Sequence, residues 1–323
     1  MLSFLDRSLI FTFLWLAIFY GAFPTRGQQT DNEIRIETEL ASFEVSVTDK
    51  NGSPVRGLSA ADFKVFENGR ERRIDFFQPI RKRDPRRPLS LVFALDVSGS
   101  MTEQELGKLR MAMDRFVKRL ADYESLFAVV SFAMEVKTAQ EFTNRPDRIE
   151  KAFGRLKRDQ DGLSTHAYDA VDQAIRMIER KSPRSIKERI PRRAVILITD
   201  GFPVGDVVSP STVIERANDA ETSVFSVLLP SFSRLLRGGR RITTPLEASG
   251  LSERTGGLSI AANDSDFERI FDALAEELTA SYAIAFYPSE NISDGERRVK
   301  IESQSGLNIR QNRTTFKLGK NSN

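Results

Sequence analysis

Leu91-Val92-Phe93-Ala94-Leu95-Asp96-Val97-Ser98-Gly99-Ser100-Met101 is the stretch whose reading decides the fold. A continuous apolar run ends in an aspartate, and two serines follow at alternate positions. Such a run reads as a strand buried on both faces, as in a parallel sheet. The loop after it presents one carboxylate and two hydroxyls at the carboxyl end of the strand, where open α/β sheets place their ligand sites. Hard oxygen donors, with neither Cys nor His among them, suit Mg²⁺, Ca²⁺ or Mn²⁺.

Working outward, Ala194-Val195-Ile196-Leu197-Ile198-Thr199-Asp200-Gly201 is a second apolar run closed by an aspartate. Between the two lies Gly162-Leu163-Ser164-Thr165-His166-Ala167-Tyr168-Asp169-Ala170, a loop entering a helix. These three pieces, in this order, resemble the metal-ion-dependent adhesion site of von Willebrand factor type A domains, whose signature is Asp-x-Ser-x-Ser. The resemblance implies a metal held by Asp96, Ser98, Ser100, Thr165 and Asp200. It also implies that the hydroxyls touch the ion while the aspartates act largely through water. A dication so held is only partly compensated, and a partner's Asp or Glu carboxylate can replace one of its waters. The competing reading is that Asp96 caps a helix and the serines only make a turn.

The chain opens with Arg7, an apolar run over 9–23 and Thr25-Arg26-Gly27, the pattern of a secretory signal peptide over 1–27. The run is shorter than the ~20 residues a spanning helix needs, so no stable membrane insertion is expected after cleavage. The sequence has no cysteine, which excludes disulfides, thiolate metal sites and a lipoprotein anchor. A net charge of +3 offers no field for nucleic acid. Secretion or a periplasmic location is expected.

From 28 to 80 the period is two. Phe43, Val45 and Val47 alternate with polar residues, and further strands are expected at 63–66 and 74–77. Val47 to Leu58, with Asp62 to Gly69, resembles the leader β module of bacterial VWFA-related proteins, which are exported. A basic stretch over 81–87 reads as an exposed linker. Residues 88–280 alternate strands and helices and form the type A part. Strands at 282–287, 297–302 and 307–316 follow within 281–323. The last two look like a hairpin across Gly306, and the group is expected to pair with the N-terminal module. The fold class is therefore α/β, a doubly wound and mostly parallel sheet of the Rossmann-like type A kind, with a small antiparallel β module.

The functional expectation is an exported module that binds a protein partner through Mg²⁺ (or Mn²⁺/Ca²⁺) and an acidic residue of that partner, and that is not an enzyme. Two alternatives stand beside it. One is a structural assembly subunit with a stabilising metal. The other is a serine hydrolase built on Ser98 or Ser100, His166 and Asp200, which lacks the Gly-x-Ser-x-Gly elbow. A phosphatase using Asp96 wants a second acid two residues on, where Ser98 stands. His166, the only histidine, is expected to lie exposed on a helix's first turn.

Overall fold

A computed structural model describes residues 40–50, 53–78, 87–99, 102–159, 164–187, 189–229, 243–262, 267–289 and 295–317. The expected signal segment 1–27, most of the expected basic linker and Ser100 lie outside the described residues. Among the described residues, no helix is long and apolar enough to cross a membrane.

The first strands are β1 (Ala41–Thr48), β2 (Phe63–Glu67), β3 (Arg70–Arg72) and β4 (Phe76–Gln78). In β1, Phe43, Val45 and Val47 are fully buried, but the polar residues between them, Glu44 and Ser46, are buried as well, at 8% and 6%. The α/β part follows. Its strands are β5 (Leu89–Asp96), β6 (Leu126–Phe132), β7 (Val136–Thr143), β8 (Arg192–Thr199), β9 (Thr222–Leu228) and β10 (Ser259–Ala261). Its helices are α1 (Glu103–Ala121), α2 (Pro146–Arg155), α3 (Ala167–Lys181), α4 (Pro210–Asp219), α5 (Pro245–Ala248), α6 (Leu251–Arg254) and α7 (Phe267–Thr279). The sheet order is β10-β9-β8-β5-β6-β7, parallel except for the antiparallel edge β7.

Every residue of β5 is buried, which is why the sequence shows it as an unbroken apolar run. Its side chains alternate between two cores. Leu89, Leu91, Phe93 and Leu95 pack with α1, α2 and α7, whereas Val92 and Ala94 pack with α3 and α4. The sheet is thus doubly wound, as expected. Thr102 and Glu105 form the capping box that starts α1: Glu105 N–H donates to Thr102 Oγ1 at 3.2 Å, and Thr102 N–H donates to the Glu105 carboxylate at 2.7 Å.

The chain ends in β11 (Ser281–Phe286), β12 (Glu296–Ser303), β13 (Asn308–Gln311) and β14 (Thr315–Lys317). They do not form the simple hairpin that the sequence suggests. β13 pairs with β1 in a sheet of order β13-β1-β11-β4, while β14 pairs with β12 in a second sheet of order β14-β12-β2-β3. The chain changes sheets at Asn312-Arg313, for a local reason. Asn312 exchanges two hydrogen bonds with the Glu44 backbone, and the Arg313 guanidinium donates to Ser42 O, Asn218 O and Glu221, each at 2.9 Å. The two sheets share one apolar core from Phe43, Val45, Phe63, Val65, Tyr282, Ile284, Phe286, Val299 and Phe316.

Charges clamp this sandwich to the α/β part. Arg87, which immediately precedes the buried Pro88 and β5, pairs with both carboxylate oxygens of Glu44 rather than lying exposed in a linker. At the other end, Glu277 in α7 accepts from Ser46 Oγ and Arg310. Burial opposes the Glu277 charge, but Arg192, Arg310 and Ser46 outweigh it and hold the carboxyl below its ordinary value. Arg192 is fully buried, donates to Glu277 O at 2.6 Å and lies 5.5 Å from the Phe225 ring. Burial pulls its pKa down to about 10.

Inside the sandwich, Arg297 and Glu67 form an ion pair at 2.9 Å with side-chain exposures of 3% and 0%. Glu67 also pairs with the partly exposed Arg72, at 2.9 Å. Removing Glu67 alone strands the buried Arg297 charge, whereas removing Glu67 and Arg297 together leaves only Arg72, which reaches solvent, without that carboxylate. Glu67→Leu is expected to lower unfolding free energy by about 3–5 kcal/mol in urea titrations. Adding Arg297→Leu is expected to recover more than half of that loss. A double variant less stable than Glu67→Leu alone contradicts this.

Candidate metal site

The site is built at the carboxyl ends of β5 and β8. The Asp96 side chain ends the central strand and is 1% exposed. Its Oδ1 accepts the Ser98 N–H at 2.9 Å, and its Oδ2 accepts the Thr199 hydroxyl at 2.8 Å. Burial pushes this carboxyl up to about 6, against the pull of the Ser98 and Thr199 hydrogen bonds, and the neighbouring Asp200 charge adds to the push. Asp200 follows β8, accepts the Phe202 N–H at 3.1 Å, and is likewise raised by burial.

Thr165 reaches the same end by a different route. Its backbone exchanges two hydrogen bonds with Val204, at 2.9 and 3.0 Å, in the loop that follows Asp200. The loop after β6 closes the arrangement, since Phe132 O accepts from Val97 N–H and Ala133 O accepts from His166 N–H. Asp96, Ser98, Thr165 and Asp200 therefore come to one end of the sheet. Ser98 and Thr165 are both buried, at 8% and 9%.

Thr199 is the residue that sequence reasoning passed over. It anchors Asp96 and also accepts the Gly201 N–H at 3.2 Å. The available signal is a hydroxyl at the last position of an otherwise apolar strand. Gly201 has φ +87, and a Cβ there would come within 2.8 Å of Thr244 Oγ1, so only glycine makes this turn.

His166 is partly buried, not exposed as expected. Its Nδ1 lies 2.9 Å from Asp169 Oδ2. Asp169 in turn accepts the N–H groups of Val207 and Val208 at 2.8–3.1 Å, and Asp206 Oδ1 accepts the Asp169 N–H at 2.9 Å. Asp206 so caps the first turn of α3 from a distant loop. These three side chains form the compact His/Asp cluster of the described residues, with ligand atoms within 4.8 Å of one another. Both Asp169 oxygens are already occupied by N–H donors, so the trio reads as a clamp that fixes Thr165 against the 201–208 loop. Burial opposes the Asp169 charge, but His166 and the two backbone donors outweigh it and lower the carboxyl; burial raises Asp206. The His166 partner is Asp169 rather than Asp200, which breaks up the hydrolase triad imagined from the sequence.

Comparison with known proteins places the α/β part. Residues 90–242, just under half of the chain, match the family model of the von Willebrand factor type A domain. The pig inter-alpha-trypsin inhibitor heavy chain H4 is 27% identical over 144 residues, 43% of this chain and 15% of that protein. The mouse inter alpha-trypsin inhibitor, heavy chain 4, is 23% identical over 280 residues, 85% of this chain and 28% of its own length. The chain thus spans less than a third of the length of these relatives. Among solved structures, BatB from Bacteroides thetaiotaomicron shares 19% identity with a TM-score of 0.43, over 59% of this chain and 97% of that one. Proximal thread matrix protein 1 of the mussel byssus, solved with a zinc-occupied MIDAS motif, shares 16% identity with a TM-score of 0.47, over 62% and 48%.

The raised Asp96 value carries a stability consequence. The carboxyl titrates near 6 in the folded chain against an ordinary 3.8. The folded state therefore holds the extra proton between these values, and stability falls as pH rises through that window. At neutral pH the ionised group works against folding. Asp96→Asn is expected to raise the melting temperature of the metal-free protein at about pH 7.5, by the equivalent of roughly 1–3 kcal/mol, and to change it little below about pH 4. Circular dichroism melts in EDTA check this. A variant that melts below wild type at the higher pH contradicts it.

Proposed function

With a von Willebrand factor type A domain over residues 90–242 as the premise, we propose that this protein binds a protein partner through a divalent cation held by Asp96, Ser98, Thr165 and Asp200. Ser100 joins them by its place in the motif. One observation carries the reading. Two carboxylates, both raised by burial, stand together at a strand end, and among the described residues neither forms an ion pair with a Lys or Arg. Two buried hydroxyl residues stand at the same end. A dication relieves that repulsion, and the donors are the hard oxygens that Mg²⁺, Mn²⁺ or Ca²⁺ prefer.

When bound, the ion supplies a positive centre that takes a carboxylate from outside. The chain's own residues set its appetite. Ser98 and Thr165 are neutral, so only Asp96 and Asp200 offset the ion's charge. Thr199 and the Ser98 N–H hold the Asp96 carboxylate in one orientation, which lowers the reorganisation needed on binding. Because Asp96 and Asp200 would act largely through water, the ion would keep an exchangeable position, and the partner's Asp or Glu would enter there as a directly bound anion. This role is adhesive and not catalytic. The N-terminal segment 1–27 supports export to a periplasmic or extracellular space, and nothing in the charge balance favours nucleic acid.

Calorimetric titration of the full chain with Mn²⁺ and Mg²⁺ tests the reading. Asp96→Ala is expected to abolish measurable binding, because it removes the buried carboxylate itself. Asp169→Ala is expected to weaken it less, since Asp169 acts through the loop that positions Thr165. Thr165→Ala is expected to cost folding about 1 kcal/mol or less while reducing metal affinity. Equal metal affinity in wild type and Asp96→Ala refutes the site.

A further inference from the structure

Of the large apolar side chains that stand exposed among the described residues, three surround the Asp96 end of the sheet: Met134 and Val204, each 53% exposed, and Val207, 89% exposed. Scattered singly, exposed apolar residues need no explanation; gathered on the loops around one polar site, they do.

These loops are held in place. Met134 follows Ala133, whose carbonyl accepts the His166 N–H at 3.2 Å. Val204 is backbone-paired to Thr165. The Val207 N–H donates to both oxygens of Asp169 while its side chain points to solvent. Gly205 between them has φ +91, and a Cβ there would come within 3.0 Å of His166 Nε2. An apolar rim presented on a fixed loop loses little conformational entropy when it is covered. Beside Ser98 stands a cation. Arg158 Nη2 donates to Gly99 O at 2.5 Å, which sets a partly exposed guanidinium next to the site. A guanidinium so fixed is complementary to a carboxylate.

We propose that the partner segment taken by this face carries one Asp or Glu flanked by bulky apolar side chains. The carboxylate sits over the Asp96 end with Arg158 beside it, and the flanking side chains cover Met134, Val204 and Val207. This rests on the metal-dependent reading above and adds the flanking chemistry that selects the partner. Arg158 and the proposed ion decide for the acidic centre, and the apolar rim decides for its neighbours.

The test uses the full chain and two short fluorescein-labelled peptides, each with one central glutamate, flanked in one by leucine and phenylalanine and in the other by serine. Anisotropy is read in Mn²⁺ and in EDTA, beside calorimetry with Mn²⁺ alone. In Mn²⁺ the apolar-flanked peptide is expected to bind roughly tenfold tighter, and a Met134→Ser/Val207→Ser double variant to reduce that preference to about twofold with Mn²⁺ affinity retained. Arg158→Gln is expected to weaken both peptides alike. If Mn²⁺ binds but the peptides bind equally or not at all, the inference is overturned and the metal site stands. If Mn²⁺ itself does not bind, the underlying reading fails and the inference falls with it. If the rim instead seats a second copy of the chain, wild type sediments as a dimer and the double variant as a monomer, which also overturns it.

Discussion

The Asp96 carboxylate sits at the end of the innermost strand, where water does not reach it, and the surrounding structure is arranged around that fact. Burial of an ionised carboxylate is costly unless its oxygens are satisfied. Here one oxygen takes the Ser98 N–H and the other the Thr199 hydroxyl. Those bonds fix two loops. The first turns at Ser98 and carries its hydroxyl. The second turns at Gly201 and brings Val204 back to pair with Thr165. The hydrogen bonds do not cancel the burial, and the carboxyl remains raised to about 6. The buried charge of Asp96 is thus incompletely compensated by its hydrogen bonds, and that is the feature the proposed cation would answer.

The strand that bears Asp96 is fixed at its other end as well. Just before β5, Arg87 is clamped to Glu44 of β1. The α/β part leaves through α7, whose Glu277 is gripped by Ser46 and Arg310. Both connections meet strands of the same four-stranded sheet, β1 and β13. Arg313 ties that sheet to the turn between α4 and β9 through Asn218 and Glu221. Several of these charges are buried, so their pairing matters more for a unique arrangement than for net stability. The sandwich is therefore a mount for the α/β part.

Much of this was legible in the sequence, for reasons that lie in local chemistry. A strand buried on both faces has to be apolar throughout, so β5 and β8 announce themselves, and the aspartates that end them mark the ligand-binding edge. The alternation in β1 and the Thr102–Glu105 box are equally local. What stayed hidden depends on partners distant in sequence. Thr199 matters only because Asp96 is beside it. The sheet change at Asn312-Arg313 needs Glu44, Asn218 and Glu221 to be seen. His166 looked like a surface residue because Asp169 and the 201–208 loop close around it only in the fold.

Anomalous diffraction from crystals of the full chain grown with Mn²⁺ tests the central claim most directly. The expected result is one anomalous peak at the carboxyl ends of β5 and β8, in contact with Ser98 and Thr165 and associated with Asp96 and Asp200. A peak instead at the His166, Asp169 and Asp206 cluster, or none at either place with Mn²⁺ in excess, contradicts the claim that the Asp96 end of the sheet is a metal site.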